Sequence, residues 1–341
     1  RAISASIINV SHILINVIIT IYLIKYQSLT YMAAIYALLI ANVLMSIVSF
    51  SSNFLHLIPK FSFFNLKKSV IFSYAEVPSM LVGLLYGSFD KAMLTNTKGV
   101  TSVGYYEFGS KFAIILSAFM GAISKSWIPF FMENAEKKES KSNQLIITRF
   151  YEMAILFAVI GLGVSYFTEE ALIILTTPEF HDAKYLTPIF VVYYLIGILG
   201  FLTVNQLMFA EKLVYNLPAS ILGLIINVSI NLVLIPKYGA LGAVIATAIS
   251  AVVVSVFLFY FANKVHPLPI NYKKLVLFFI IVILYTLVIY PVFSIDLLLV
   301  WKICIKIFLI LSFVFLSIRL SFISTSVIKS TLLAIMRFNV K

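Results

Sequence analysis

About ten runs of mainly apolar residues, each long enough to cross a membrane as an α-helix, fill most of this 341-residue chain. A helical span needs about 20 such residues, because the hydrocarbon core of a bilayer is about 30 Å thick. The runs are rich in leucine, isoleucine and phenylalanine and lack the alternating pattern of barrel strands. We therefore predict an all-α, polytopic transmembrane helical bundle. The predicted spans are 3–24, 31–52, 69–94, 103–131, 150–168, 185–209, 214–235, 240–262, 275–293 and 299–319.

Composition supports this class and excludes others. The chain is 62% hydrophobic and 11% charged, whereas about a quarter of the residues of a soluble domain are charged. The net charge of +12 comes from residues in short loops and not from one soluble face, which argues against nucleic acid as a partner. The one cysteine, Cys304, excludes an internal disulfide and a thiolate metal cluster. We predict no metal and no cofactor.

Basic residues are concentrated in alternate loops, which predicts the orientation of the spans. Because cytoplasmic loops are enriched in lysine and arginine, we expect the basic loops, the N-terminus and the C-terminal tail to be cytoplasmic. The basic side contains Lys60, Lys67, Lys68, Lys137, Lys138, Lys141, Arg149, Lys212, Lys264, Lys273, Lys274, Arg319, Lys329, Arg337 and Lys341. The opposite loops contain little more than Lys25, Lys98, Lys184, Lys237 and Lys302.

Six ionisable side chains lie within the third and fourth predicted spans, where a charge is costly unless it faces a partner or water. They are Glu76, Asp90, Lys91, Glu107, Lys111 and Lys125. On the fourth span, Glu107, Lys111 and Lys125 lie within about 40° of one another and form one stripe. The short loop at 95–102 makes the two spans antiparallel, so the charges should meet at two levels.

We expect Asp90, Lys91, Glu107 and Lys111 at the outer level, and Glu76 and Lys125 at the inner level. Our hypothesis is that these two layers of ion pairs help to gate an aqueous cavity, since ionisable residues at membrane depth usually mark a pathway. The alternative is that they are static salt bridges that lock the two helices together.

Polar residues on other spans are secondary candidates for a polar cavity: Asn9, His12, Asn16, Asn205, Asn227 and Asn231. Asn227 and Asn231 are four residues apart and share one helical face, for which interhelical hydrogen bonding is the favoured interpretation. His12 is more typical of a packed, hydrogen-bonded histidine than of a proton relay. It has no second histidine at ligand spacing, so a metal site is not expected there.

No loop is long enough to fold into a catalytic domain, and no cluster of nucleophile, base and acid is evident. The sequence therefore favours a transporter over an enzyme.

Three segments carry a resemblance to a known family. They are SFDKAMLTNTKGVTSVGYYEFGSKF (Ser88–Phe112), SKSWIPFFMENAEKK (Ser124–Lys138) and NVSINLVLIPKYGALGAVIATAIS (Asn227–Ser250). Their order and spacing resemble the O-antigen and capsule polysaccharide flippases (Wzx-like) of the multidrug/oligosaccharidyl-lipid/polysaccharide (MOP) exporter superfamily. One departure is Lys91, where arginine is commoner in the family, because lysine lacks the bidentate fork that suits a phosphate.

The resemblance implies a two-lobed bundle in the bacterial cytoplasmic membrane that moves an undecaprenyl-diphosphate-linked oligosaccharide outward for O-antigen, lipopolysaccharide or capsule assembly. A polysaccharide polymerase and a chain-length regulator are the partners implied, besides the lipid-linked glycan and membrane lipids. Residues 1–55 would be the last two helices of the N-terminal lobe, 56–265 a six-helix C-terminal lobe, and 266–341 an extra helix pair with a cytoplasmic tail. Since the chain begins at Arg1, we expect the N-terminal part of the first lobe to be missing.

Other functions stay open. A cation-coupled multidrug exporter of the same superfamily would use the acidic residues, and a lipid II flippase would share a cationic cavity. A membrane glycan polymerase is the more remote alternative, because it would need a large outer loop.

Overall fold

The structure, a computed structural model, describes residues 2–27, 31–53, 62–295 and 297–322. The regular secondary structure of these residues consists of twelve α-helices and two short 3₁₀ segments, at Pro178–Tyr185 and Leu213–Tyr215. The helices are α1 (Ala2–Gln27), α2 (Tyr31–Asn53), α3 (Phe63–Lys98), α4 (Val100–Glu136), α5 (Ser140–Leu175), α6 (Thr187–Gly197), α7 (Gly200–Phe209), α8 (Asn216–Tyr238), α9 (Ala240–Val265), α10 (Tyr272–Leu287), α11 (Ile289–Ser294) and α12 (Leu299–Arg319).

Eight of the ten predicted spans fall on one helix each and two are divided between helices, and the all-α polytopic fold is confirmed. Among the residues described, seven helical stretches are long and apolar enough to cross a membrane: Val100–Glu136, Ser140–Leu175, Thr187–Phe209, Leu213–Tyr238, Ala240–Val265, Tyr272–Ser294 and Leu299–Arg319. Shorter apolar helical stretches lie at Ser11–Tyr26 and Met32–Val48, in α1 and α2. The third predicted span lies on α3. The protein is a multi-pass membrane protein.

Two predicted spans are broken in the structure. The span 185–209 divides into α6 and α7, and the break is flanked by Gly197 and Gly200, which are poor helix formers. The span 275–293 divides where α10 ends at Leu287 and α11 begins at Ile289. Pro291 explains this second break, because its ring clashes with the carbonyl four residues earlier, at Leu287.

The chain divides into two compact units, 1–67 and 68–341. In the first unit α1 packs on α2, which carries a row of fully buried alanines at Ala33, Ala37 and Ala41. Small residues at a spacing of four let two helices approach closely in a membrane. The predicted lobes 1–55, 56–265 and 266–341 stay a prediction.

In the second unit, α4, α5, α6 and α9 surround a core of buried aromatic side chains that includes Phe131, Phe150 and Phe157. The closest helix pair is α8 with α9. A Cβ atom added at Gly223 would lie 2.6 Å from Cγ2 of Val254, so only glycine fits this crossing without a shift. The tight approach positions the polar residues of α8 and α9 described below.

A cluster of five charged side chains attaches α12 to α5. Nζ of Lys306, whose side chain is fully buried, lies 2.6 Å from Oε1 of Glu170 and 3.8 Å from Oε2 of Glu169. Nζ of Lys184 lies 2.6 Å from Oε1 of Glu169, and Nζ of Lys302 lies 3.9 Å from its Oε2. The sequence analysis assigned Lys184 and Lys302 to loops, and the structure shows both with less than a fifth of the side chain exposed.

Candidate functional site

Asp90 lies in a buried polar cluster of α3, α4, α8 and α9, which we call the Asp90 centre. Its carboxylate is fully buried and accepts hydrogen bonds from the Tyr106 hydroxyl (2.9 Å), the Asn231 amide (2.6 Å) and the Thr247 hydroxyl (2.9 Å). The Asn231 amide also donates to Oδ1 of Asn227 at 2.9 Å. Among the described side chains, no cation lies within ion-pair distance of this carboxylate. Asp90 is therefore a buried acid surrounded by neutral donors.

Local sequence explains this arrangement. Asn227 and Asn231 are one helical turn apart on α8, and both are fully buried on the same face. The close crossing of α8 and α9 brings that face against Thr247. Asp90 reaches the cluster from α3, and Tyr106 lies on the second turn of α4, so the short connection between these helices fixes both side chains.

The Asp90 centre can hold one proton or one small cation. A buried carboxylate without a compensating charge is costly, and either species would neutralise it. Oδ1 of Asn231 is buried and has no hydrogen-bond partner in the described part of the chain, so it offers a further oxygen. Carboxylate, amide and hydroxyl oxygens suit hard cations. Elsewhere in the described residues, no group of three or more histidine, cysteine, aspartate or glutamate side chains is placed to hold a metal.

A cavity of about 600 Å³ lies between α3, α4, α6, α7, α8 and α9. We call it the hydroxyl cavity, because its polar lining consists of side-chain hydroxyls and none of its lining residues is charged. Those hydroxyls belong to Tyr86, Ser117, Ser124, Tyr193, Tyr194, Thr203, Ser220 and Ser255. Glycines at 83, 121, 197, 200 and 223 also line it and widen it. Such a lining can bind a polyhydroxylated or phosphorylated group through hydrogen bonds.

Tyr86 connects the hydroxyl cavity to the Asp90 centre. Its ring lines the cavity, and its hydroxyl donates to the backbone carbonyl of Thr247 at 3.1 Å. The hydroxyl of the same threonine donates to the Asp90 carboxylate. Two hydrogen bonds therefore separate the cavity wall from the buried acid.

An apolar groove lies on the other side of α9. It has a volume of about 300 Å³ and is lined by residues of α6, α9 and α10 together with Leu199. Of its lining side chains, only those of Ser255 and Tyr272 carry polar atoms. Ser255 lines both the groove and the hydroxyl cavity, so the two spaces share one wall.

Comparisons with known proteins place this arrangement in context. Over 90% of its own length, the chain aligns with the structure of a lipid II flippase, MurJ, in an inward closed conformation. The TM-score is 0.60 and the sequence identity is 16%. The chain has a MurJ-like fold. It is also 23% identical over 222 residues to a probable low-salt glycan biosynthesis flippase, Agl15, from Haloferax volcanii. No family model matches the sequence.

Both relatives are longer than the chain. The aligned region covers 63% of this chain and 46% of Agl15, and the structural match covers 65% of MurJ. The resemblance to flippases, inferred from three sequence segments, agrees with these two similarities.

Within this MurJ-like fold, the predicted outer layer of charges is only partly assembled. Nζ of Lys91 lies 2.5 Å from Oε1 of Glu107, with 49% and 31% of the two side chains exposed. Asp90 faces away from this pair and binds α8 and α9. Lys111 is exposed and has no ion-pair partner among the described side chains.

The inner layer rests on Glu76 and Lys125. Glu76 lies within α3, but its side chain lies outside the described residues. Lys125 is exposed, and no described side chain forms an ion pair with it. The lining of the hydroxyl cavity includes none of the six predicted residues. Their role in gating stays a prediction.

Of the six secondary candidates for a polar cavity, Asn227 and Asn231 belong to the Asp90 centre. Asn205 is buried and donates to the backbone carbonyl of Phe201 within α7. Asn16 accepts from the Thr20 hydroxyl (2.8 Å to its carbonyl oxygen), so both asparagines form hydrogen bonds within their own helices.

Of the remaining two secondary candidates, His12 is half-buried. Its Nε2 has no hydrogen-bond partner among the residues that the structure describes, and the packed, hydrogen-bonded histidine stays a prediction. Asn9 lies in α1, and its side chain is outside the described residues.

The sequence analysis missed Tyr86, Tyr106, Thr247 and Ser255. Tyr106 lies inside the segment Ser88–Phe112 and Thr247 inside Asn227–Ser250, so the segments that carry the resemblance contain both donors to Asp90. Tyr86 and Ser255 lie outside them, on apolar helices where a single hydroxyl carries no periodic signal.

Proposed function

We propose that this chain belongs to a flippase that moves a lipid-linked oligosaccharide from the inner to the outer leaflet of a cytoplasmic membrane. The observation that supports this most directly is the shared wall at Ser255 between the hydroxyl cavity and the apolar groove. A lipid-linked glycan has a polar headgroup joined to a long hydrocarbon tail. Both parts would find matching surroundings on the two sides of α9.

The chemistry of each space fits one part of the substrate. In the hydroxyl cavity, tyrosine, serine and threonine hydroxyls would replace the water that sugars and phosphates give up on entering the protein. In the groove, a polyprenyl chain would contact aliphatic and aromatic side chains and would need no hydrogen bonds. No covalent step is required, so the protein would act as an alternating-access carrier and not as an enzyme.

The relatives support the class of substrate. Agl15 is named a probable glycan biosynthesis flippase, and MurJ is named a lipid II flippase. Extending the similarity to this chain, we propose a polyprenyl-diphosphate glycan as the substrate, and a role in O-antigen, capsule or another surface polysaccharide. A bacterial inner membrane with both termini cytoplasmic is the corresponding location, and a polymerase and a chain-length regulator are the expected partners.

Lys111 and Lys125 have a proposed part in this function. Gly121 lines the hydroxyl cavity, and Lys125 lies one turn further along the same face of α4. An ammonium group there would attract an anionic diphosphate toward the cavity entrance.

The test of this function uses the size of the cavity. A Cβ atom added at Gly121 would meet nothing within 4 Å, so the Gly121→Trp side chain starts in open space and would extend into the hydroxyl cavity. Gly163 on α5 is equally open and lines none of the three cavities described for this protein, so Gly163→Trp is the matched control. Each variant would be expressed in cells that lack the gene but still synthesise the lipid-linked glycan, and the glycan in each leaflet would be measured.

We expect wild type and Gly163→Trp to clear the glycan from the inner leaflet and Gly121→Trp to leave it there. Clearance by Gly121→Trp equal to that of wild type would show that the hydroxyl cavity is not the route. A leaflet distribution that does not respond to the wild-type gene would refute the flippase function and favour the multidrug exporter.

Lipid II is the second candidate substrate, favoured by the likeness to MurJ over 90% of the chain. If this gene restores the growth of cells that are depleted of their own lipid II flippase, lipid II is the substrate.

A further inference from the structure

A second polar cavity, of about 520 Å³, lies at the basic end of the bundle, away from the hydroxyl cavity. It is lined by the first turns of α5, the connection before α10, the first turn of α10 and the end of α12. We call it the Lys274 cavity. These helix ends belong to the side of the membrane on which the sequence places most of its lysine and arginine residues, including Lys273 and Arg319.

Lys274 supplies a cation that no carboxylate neutralises among the residues described. Its Nζ donates to the backbone carbonyl of Ser321 at 2.7 Å and lies 4.7 Å from the ring centroid of Tyr151 and 5.6 Å from that of Phe322. A lysine held by one carbonyl and two rings has no counter-charge and has donors to spare. It is therefore available to an anion.

Tyr151 supplies an unsatisfied hydroxyl. The side chain lines the cavity and is only 3% exposed, and its hydroxyl has no hydrogen-bond partner in the described part of the chain. A buried polar group without a partner is destabilising, and native proteins usually satisfy it with a ligand or an ordered water. The Lys274 ammonium lies over the Tyr151 ring, close to this hydroxyl at the ring edge, so one bound group can reach both.

The start of α10 adds a third favourable element. The side chain of Asn271 accepts a hydrogen bond from the backbone N–H of Lys274 and caps the helix, and both residues line the cavity. The amides that precede Leu275, whose N–H donates to the Asn271 carbonyl, have no backbone acceptor within the helix, and the positive end of its dipole favours a negative ligand. The side-chain amide of Gln144 on α5 provides a further donor in the lining.

The backbone of Ser321 supports the same interpretation. Its φ of 56° lies in the left-handed region, which is unfavourable for a residue with a side chain. This conformation closes α12 with a hydrogen bond from the N–H of Phe322 to the carbonyl of Ser317, and it presents the Ser321 carbonyl to Lys274. Strained residues of this kind concentrate at ligand sites.

We propose that the Lys274 cavity binds the phosphate of an anionic phospholipid from the basic side of the membrane. The phosphate would accept hydrogen bonds from Lys274, Tyr151 and the start of α10. The glycerol and the upper acyl chain would contact Ile147, Ile318 and Phe322, which line the apolar part of the cavity. Free phosphate shares the headgroup chemistry but has no use for this apolar wall, which is why a lipid is the favoured source. The inference does not depend on the proposed function.

The test measures binding of soluble dioctanoyl phosphatidylglycerol to the purified, delipidated full chain in detergent, by native mass spectrometry and by the rise in melting temperature. Dioctanoyl phosphatidylcholine and inorganic phosphate are the comparison ligands. The variants are Lys274→Gln and Tyr151→Phe. Lys273→Gln is the matched control, because it removes the same charge from a residue that is exposed and does not line the cavity.

We expect phosphatidylglycerol to bind wild type and Lys273→Gln equally, and Lys274→Gln about tenfold or more weakly, since a charge-assisted hydrogen bond is lost. Tyr151→Phe should weaken lipid binding about fivefold. The same change should raise the melting temperature of the lipid-free protein, because it removes an unsatisfied hydroxyl. If Tyr151 were only structural, its replacement would not weaken lipid binding and at the same time raise the melting temperature.

Three results would overturn the proposal. Equal weakening by Lys273→Gln and Lys274→Gln would mean that only the general surface charge attracts the lipid. Binding of phosphatidylcholine as tight as that of phosphatidylglycerol would exclude selection for an anionic headgroup. Binding of inorganic phosphate as tight as that of the lipid would assign the cavity to a free anion. If Lys274→Gln does not fold, Tyr151→Phe alone decides, since it keeps the ring contacts.

Discussion

Replacing Lys306 with methionine should strongly destabilise the attachment of α12 to α5. The Lys306 side chain is fully buried, and its Nζ lies 2.6 Å from Oε1 of Glu170. The change would keep the apolar volume and leave the Glu170 carboxylate, which is 20% exposed, without its nearest cation. The other oxygen of that carboxylate already has no hydrogen-bond partner among the described residues, so no alternative donor is in place.

The expected loss of stability is about 3 kcal/mol. Breaking a buried ion pair by removing one partner costs about 3–5 kcal/mol, because the remaining charge is left uncompensated. The lower end applies here, since Glu170 retains some contact with solvent. The double variant Lys306→Met with Glu170→Leu should recover most of the loss, because apolar side chains can replace a buried ion pair at little or no cost.

The assay is thermal unfolding of the two single variants and the double variant in detergent, combined as a double-mutant cycle. Lys137→Met is the control, since the exposed pair of Lys137 with Glu133 should leave the melting temperature nearly unchanged. A melting temperature for Lys306→Met equal to that of Lys137→Met would refute the reasoning. So would a double variant that is less stable than Lys306→Met alone.

Three further predictions concern other parts of the molecule. Asp90→Asn should leave the protein folded but abolish transport or its dependence on pH and cations, because the amide cannot carry the negative charge of the carboxylate. The measurement is the leaflet distribution of the glycan in different salts. Gly223→Leu should cost about 1–3 kcal/mol in thermal unfolding, since its Cβ would overlap Val254, whereas Gly83→Leu, with open space around it, should not. Burial lowers the pKa of His266 below its usual 6.5. The unfolded chain therefore binds the proton more readily, and the stability of the protein should fall as pH drops below about 6.5. His266→Gln should flatten this pH dependence of the melting temperature, and an unchanged slope would contradict the prediction.

The apolar runs were sufficient to predict the helical fold, because a membrane requires every backbone polar group to be satisfied within the span. The helix breaks after Gly197 and Leu287 were missed, although glycines and a proline mark them, since hydropathy averages over about 20 residues. The shared face of Asn227 and Asn231 was predicted from their spacing alone. Their partner Asp90 was assigned to the charged layer with Lys91.

The structure separates Asp90 from Lys91 because adjacent residues on a helix point about 100° apart. Lys91 faces Glu107 at the surface, and Asp90 faces α8 and α9 in the interior. The ion pair of Lys306 with Glu170 joins residues 136 positions apart, and no local pattern announces such a contact. Distant pairings of this kind depend on how helices pack, which single-sequence periodicity does not contain.

The link from Tyr86 through Thr247 to Asp90 has a thermodynamic consequence. If a guest in the hydroxyl cavity takes the Tyr86 hydroxyl as its own donor, the hydrogen bond to Thr247 is weakened, and the carboxylate environment changes with it. Coupling between two binding events is reciprocal, so a guest that changes the affinity of Asp90 for a proton or cation by some factor has its own affinity changed by the same factor. A rigid pair of hydrogen bonds would thus let an ion gradient set the occupancy of a cavity that contains no charge of its own.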